Sequence, residues 1–336
     1  IFDVMLWVLV VAGVVAASDD LPSLSTSPDG QSVSGISAGG FMSVQMHVAF
    51  SKSFVGAGVL AGGPFYCAED NLSVALTACT STPQLLNVEA LVAITRTSAI
   101  SGVIDSLDNL RYDKVWMFSG TKDTVVTQGV VEKLQSYYSR FVVEPNAIKL
   151  VKNESAEHAF VTSFYGNDCS FKGEPFINNC GTDSAGELLQ HIYNNTLVTP
   201  PPSTLDNYTG GSLATFAQAP FLPAGYTLIT ASLQKDGYVF IPDRCAKRQA
   251  TCRVHVAFHG CLQTLDDIQD QFVRHTGYNA WAVANDLVIL YPQASKQVLN
   301  PKGCFDWWGY TGTDYASKFG AQISTVMRML QRLQQP

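Results

Sequence analysis

Short apolar runs alternate with stretches of helical spacing along most of the chain. "QSV" (31–33) is a brief β-like run, and after a small-residue turn "AGGFMSVQMHVAFSK" repeats its apolar positions with helical period. "FVGAGVLAGGP" then reads as a strand closed by Gly-Pro. A helical or irregular stretch over 83–104 precedes "DKVWMFSGTKD", a strand ending in a turn. "VVTQGVVEKLQSYYSRF" reads as a helix and "AIKLVKNESAEHAF" as a strand running into a loop. Alternation of this kind predicts a parallel sheet with crossover helices, and ligands bind at the carboxyl ends of such strands.

Residues 195–224 are rich in Pro, Thr, Ser, Gly and Asn, which raises a domain boundary near 200. Beyond it, "AGYTLITASL" and "DGYVFIPD" read as a strand pair, and "CRVHVAFHG" and "LVILYPQ" as buried strands. "QDQFVRHTGYNAWAVAND" reads as one helix, and the chain closes on an amphipathic helix in "ASKFGAQISTVMRMLQRLQQ". These elements extend the α/β pattern instead of starting an independent module. Near the N-terminus the apolar run from Val4 to Ala17 ends in Val15-Ala16-Ala17 before polar residues, the pattern of a secretory signal over 1–17. One catalytic domain over 18–336 is expected.

Composition narrows the function. Charged residues make up 15% of the chain and the net charge is -7, so no basic field attracts nucleic acid. An even count of eight cysteines behind a secretory signal implies disulfides. Short loops close most easily, which favours Cys67 with Cys79, Cys169 with Cys180 and Cys245 with Cys252, leaving Cys261 and Cys304 as a long-range pair. There is no C-x-x-C pair and no His-x-x-x-His array, so neither metal nor cofactor is expected. Sequons at Asn71, Asn153, Asn194 and Asn207 suit a glycosylated extracellular protein that leaves the membrane once the signal is cut.

"GISAG" (35–39) fits the G-x-S-x-G nucleophile elbow, in which a Ser on a sharp strand-to-helix turn is pushed into the open between small residues. Ser37 is the candidate nucleophile. "GTDSAG" (181–186) resembles an elbow, but no strand leads into Ser184, and it reads as a loop or helix cap. A Ser hydroxyl needs a base, and the base needs a carboxylate. Asp123 follows the strand "KVWMFSG" and His158 lies in the loop after the next strand, giving the order Ser, acid, His of an α/β-hydrolase. His47, His191, His255 and His275 fall within predicted helices or strands and read as structural. His259, in "VAFHGCLQ", belongs to an HG-type turn whose backbone, with that of the elbow, binds an oxyanion; the donors are the N–H groups of Ala38 and Cys261.

Such an elbow normally follows several strands, whereas here it comes first. Moving the oxyanion strand, helix, strand and helix of 252–334 ahead of residue 30 restores the usual order. The chain therefore reads as a circularly permuted α/β-hydrolase, a mostly parallel sheet flanked by helices in a single domain.

"SVSGISAGGFMS", "FSGTKDTVV", "EHAF", "DSAGELLQHIY", "CRVHVAFHGCLQ", "TGYNAWA", "VILYPQA" and "NPKGCFDWWGY" together resemble the secreted poly(3-hydroxybutyrate) depolymerases of the single-domain, circularly permuted type known from fungi. The resemblance covers nearly all of the chain after the signal. It implies a serine esterase acting on a polyhydroxyalkanoate, with Trp307 in contact with substrate and Trp308 and Tyr310 as neighbours in an apolar crevice; the protein is expected to be a monomer. "HAFVTSF" departs from the family pattern, which has a Pro after the Phe, and Glu157 directly precedes the base. Two other readings remain: an esterase of plant cell-wall feruloyl or acetyl groups, and a non-catalytic polymer-binding protein on a hydrolase scaffold.

Overall fold

The computed structural model describes residues 20–336; the signal expected over 1–17 lies outside them. Eight strands form the main sheet. The first four are β1 (Gln31–Ile36), β2 (Phe54–Leu60), β3 (Lys114–Phe118) and β4 (Ile148–Val151). Three short strands, β5 (Phe160–Thr162), β6 (Asn167–Asp168) and β7 (Ile177–Asn179), make a separate small sheet. The main sheet resumes with β8 (Gly211–Ala217), β9 (Asp236–Pro242), β10 (Arg253–Phe258) and β11 (Leu287–Tyr291), in the order β4-β3-β2-β1-β10-β11-β9-β8. Six strands run parallel, and β9 is antiparallel to both β11 and β8.

Counted from β8 and continued from β11 into β1, this order reads 1-2-4-3-5-6-7-8. The permutation is thus visible in the sheet: β10 and β11, late in the chain, lie beside β1, which opens it. β1 is buried at all six positions and β11 at all five, as strands covered on both faces must be. Helices α1 (Ala38–Ala49), α2 (Val88–Ile100), α3 (Gln128–Tyr138) and α6 (Ala321–Gln334) cover one face, and α4 (Ser184–Ile192) and α5 (Tyr278–Asn285) the other.

Two elements differ from the sequence reading. In "AGYTLITASL", Leu228–Ala231 form one helical turn, closed by a capping box between Thr227 and Thr230. The partner of β9 is β8, drawn from the Gly- and Ser-rich segment that suggested a domain boundary. β8 is an edge strand and mostly half-buried, so it lacks the apolar density that marks a strand. Likewise "QDQFVRHTGYNAWAVAND" is two helices, Gln271–His275 and α5, because Gly277 turns the chain at φ 90°.

Register places the chemistry. Gly35 pairs with Phe258 and Ile36 with Leu60, while Leu60 pairs with Phe118 and Phe118 with Val151. The carboxyl ends of β10, β1, β2, β3 and β4 therefore share one edge, and the loops after them meet above it.

Candidate active site

Ser37 occupies the turn between β1 and α1 at φ 55° and ψ -123°, backbone strain of roughly 1–3 kcal/mol for a residue with a side chain. The glycines on either side make that turn possible. A Cβ on Gly35 would lie 2.4 Å from Gly39 O, and one on Gly39 would lie 2.4 Å from Phe258 O and 2.5 Å from His259 O. The elbow thus rests directly on the backbone leaving β10. Ser37 N–H donates to Leu60 C=O at 2.9 Å, which ties it to β2 as well.

Asp123 does not cap a helix; α3 begins at Gln128 with Thr127 as its N-cap. Its Oδ1 accepts from the N–H groups of Val125 and Val126, both at 2.8 Å, and this turn aims Oδ2 at His158 Nδ1, 2.9 Å away. Asp123 and His158 are both buried. With Nδ1–H held by the carboxylate, His158 Nε2 is the nitrogen left for chemistry. It makes no hydrogen bond among the described residues. Ser37 and His158 line the same cavity of about 550 Å³.

Gly260 packs against the elbow: a Cβ there would come within 3.3 Å of Ser37 Cβ. Among the described residues the N–H groups of Ala38 and Cys261 have no acceptor, as donors kept for an oxyanion require. The Cys261–Cys304 disulfide joins this loop to residues 304–311. There Asp306 accepts from the N–H groups of Trp308, Gly309, Tyr310 and Thr311 at 2.8–3.2 Å, so one buried carboxylate organises the loop that carries the tryptophans. Trp307 stacks on Phe41 with ring centroids 4.2 Å apart. Together with Trp308, Leu72, Leu76, Val125, Phe176 and Leu299 they make the cavity walls predominantly apolar.

No family model matches the chain. The poly(3-hydroxybutyrate) depolymerase of Delftia acidovorans is 44% identical over 323 residues, 96% of this chain but only 63% of that protein, so the chain spans less than two thirds of that relative. The polyhydroxybutyrate depolymerase of Talaromyces funiculosus is 33% identical over 344 residues, 97% of this chain and 96% of its own length. The chain belongs to the polyhydroxybutyrate depolymerase family. Among solved structures, a depolymerase of this family from Penicillium funiculosum superposes with a TM-score of 0.82 at 32% identity, covering 93% of this chain and 98% of that one. A serine-to-alanine variant of such a depolymerase, in complex with an R3HB trimer, superposes at 0.83 and 31% identity, with the same coverage.

Within this depolymerase fold the structure corrects the reading of Tyr310. It does not line the cavity. Its hydroxyl donates to Cys304 C=O at 2.7 Å and accepts from Asn300 Nδ2 and Gln322 Nε2, both at 3.0 Å, so it braces the tryptophan loop. Glu157, beside His158, does not point to the imidazole. Its carboxylate accepts from Thr124 N–H and Oγ1–H and from the N–H of His158, which links the loop of Asp123 to the loop of His158.

Four of the other histidines are engaged by partners away from Ser37. His47 lies between Tyr138 Oη and Asp113, and His275 pairs with Asp206. His191 bonds Ala147 C=O, and burial pushes its pKa down. His255, on β10, bridges Ser32 and Ser34 of β1. Ser184 starts α4 after its cap Asp183.

The structure pairs Cys67 with Cys79, Cys169 with Cys180, Cys245 with Cys252 and Cys261 with Cys304. Among the described residues the one metal-like cluster is Cys245, Cys252 and Asp286, and its sulfurs are joined to each other, leaving no thiolate to bind an ion. All four sequon asparagines are exposed. Among the described residues no helix is long and apolar enough to cross a membrane.

Sequence reasoning missed one wall of the site. Lys172 and Phe176 reach the cavity from the loop closed by Cys169 and Cys180, and Gln263 from the oxyanion turn. Gln263 stood in the quoted "HGCLQ" with no role attached to it.

Proposed function

We propose that this chain is an extracellular serine esterase that hydrolyses the ester bonds of poly(3-hydroxybutyrate) or a related polyhydroxyalkanoate through an acyl-enzyme. The observation that carries the reading is the convergence of Ser37, the Asp123-supported His158 and Cys261 on one predominantly apolar cavity, with the N–H groups of Cys261 and of Ala38, next to Ser37, unpartnered among the described residues. His158 Nε2 takes the Ser37 proton as Oγ attacks an ester carbonyl. The tetrahedral oxyanion is held by Ala38 and Cys261, one such donor being worth roughly 3 kcal/mol. Protonated His158 then gives its proton to the leaving alcohol oxygen. Water, deprotonated by the same nitrogen, releases the acid and restores Ser37.

A neutral polyester matches predominantly apolar walls. The ring of Trp307, stacked on Phe41, forms one of these walls. Leu72, Leu76 and Leu299 line the cavity and are more than half exposed, giving an apolar rim to adsorb on a water-insoluble solid. Four disulfides and exposed sequons fit an oxidising, extracellular setting after cleavage of a signal over 1–17.

Release of soluble hydroxybutyrate from polymer film tests the reading, with ferulate release from a cinnamoyl ester as the alternative substrate. Film hydrolysis is expected, and an organophosphonate should label Ser37 and leave Ser37→Ala unlabelled. Ferulate release without film hydrolysis refutes the substrate, and an unlabelled native protein refutes the esterase.

A further inference from the structure

Three consecutive backbone N–H groups follow His259, and the fold uses two of them. Gly260 N–H donates to Gln263 Oε1 at 2.7 Å and Leu262 N–H donates to Lys302 C=O at 2.8 Å. Only Cys261 N–H, between them, lacks an acceptor among the described residues. The side chain of His259 acts on the same peptide from its other end, donating Nδ1–H to Gly260 C=O at 2.7 Å. In a trans peptide the carbonyl and the following N–H point in opposite directions, so holding Gly260 C=O on the histidine side turns Cys261 N–H away from it.

Both holding groups are themselves held. His259 Nε2 accepts from Ala294 N–H at 3.1 Å, which fixes the tautomer, and the fully buried ring packs against Phe305 with centroids 4.7 Å apart. Gln263 donates its amide to Pro175 C=O and Phe176 C=O at 3.0 and 3.1 Å, so its oxygen is not free to turn from Gly260. The same side chain thereby joins the oxyanion turn to the wall that carries Phe176.

We propose that His259 and Gln263 are positioning residues that clamp the peptides on either side of Gly260 and so present the Cys261 N–H to the oxyanion. The inference rests on the esterase reading above. It assigns to side chains an effect that the reaction feels only through a backbone donor. A misaimed donor costs transition-state binding and leaves ground-state binding of substrate nearly intact.

The test is steady-state hydrolysis of a soluble 3-hydroxybutyrate oligomer ester, together with the affinity for an alkyl boronate, which forms a tetrahedral anion on the serine. His259→Ala is expected to lower kcat about a hundredfold with KM within a few-fold of the parent, the low end of what one lost oxyanion donor costs. Boronate affinity should fall in parallel. His259→Asn, whose side-chain amide can reach the same carbonyl, should recover a large part of both. Gln263→Leu should behave as His259→Ala does, and it carries the test if the histidine variant does not fold. Unchanged kcat and boronate affinity in a folded variant overturn the proposal, as does a loss confined to KM or one that Asn does not recover. Failure of the esterase reading is distinct: it shows as an inactive parent, or as a Ser37→Ala control as active as the parent.

Discussion

Acidification should unfold this protein through two histidines that take no part in the proton transfers proposed here. His255, on β10, is fully buried and bridges Ser32 and Ser34 of the neighbouring β1, and burial pushes its pKa down to about 3. His259 is buried in the oxyanion turn and, chiefly through burial, is held at about 4. Unfolding returns both to the ordinary value near 6.5. Below that pH the unfolded chain binds two protons that the native state refuses, so stability is full above about pH 6.5 and is lost as pH falls toward 4 and 3. At about 1.4 kcal/mol for each pH unit between the two values, His255 contributes roughly 5 kcal/mol and His259 roughly 3. Their sum lies within the ~5–15 kcal/mol that holds a typical domain together. His191, pushed down by burial, adds in the same sense. Asp183 and Asp306, pushed up by burial, act in the opposite sense close to the carboxylate range near pH 4. Urea unfolding between about pH 6 and 5, with disulfides intact, therefore isolates the histidines. Stability should fall there by about 2–3 kcal/mol per pH unit, and His255→Gln should remove about half of that slope. A flat profile over this window, or a slope that His255→Gln leaves intact, refutes the reasoning.

Gly39→Ala forces a methyl group against the carbonyls of Phe258 and His259, backbone that cannot step aside; about 1–3 kcal/mol of stability and a kcat loss on the order of a hundredfold are expected, read by thermal unfolding and ester hydrolysis. Asp123→Asn removes the charge that orients His158 and should lower kcat by up to about 10⁴-fold with little change in KM, measured on a soluble ester. Opening the Cys261–Cys304 bridge with the double serine variant frees a loop of 43-residue separation; roughly 4 kcal/mol of stability and much of kcat should go together, measured by denaturant unfolding and kinetics. Trp307→Ala should raise KM for oligomers and cost about 3–5 kcal/mol of stability, because the ring is both a cavity wall and a buried stacking partner of Phe41.

What could be read from the chain was whatever depends on near neighbours. A glycine two residues before and two after Ser37 is a steric requirement of a sharp turn, so the elbow announced itself in five letters, and the period of the apolar runs announced the strands and helices on either side of it. Alternating strand and helix also implied a parallel sheet, and the late position of "VAFHGCLQ" implied the permutation that the adjacency of β10 and β1 displays. Other features depended on distant partners and stayed hidden. β8 was obscured because an edge strand needs few apolar residues once β9 supplies its hydrogen bonds. Tyr310 looked like another cavity aromatic, yet Cys304, Asn300 and Gln322 hold its hydroxyl in hydrogen bonds and it does not line the cavity. Glu157 sat next to the base in sequence, and only folding turned its carboxylate to Thr124. Sequence sets which groups each residue brings and the turns it can make. Which of those groups face one cavity, and which peptide N–H remains free there, follows from hydrogen bonds between residues far apart in the chain, which exist only when the sheet has closed around them.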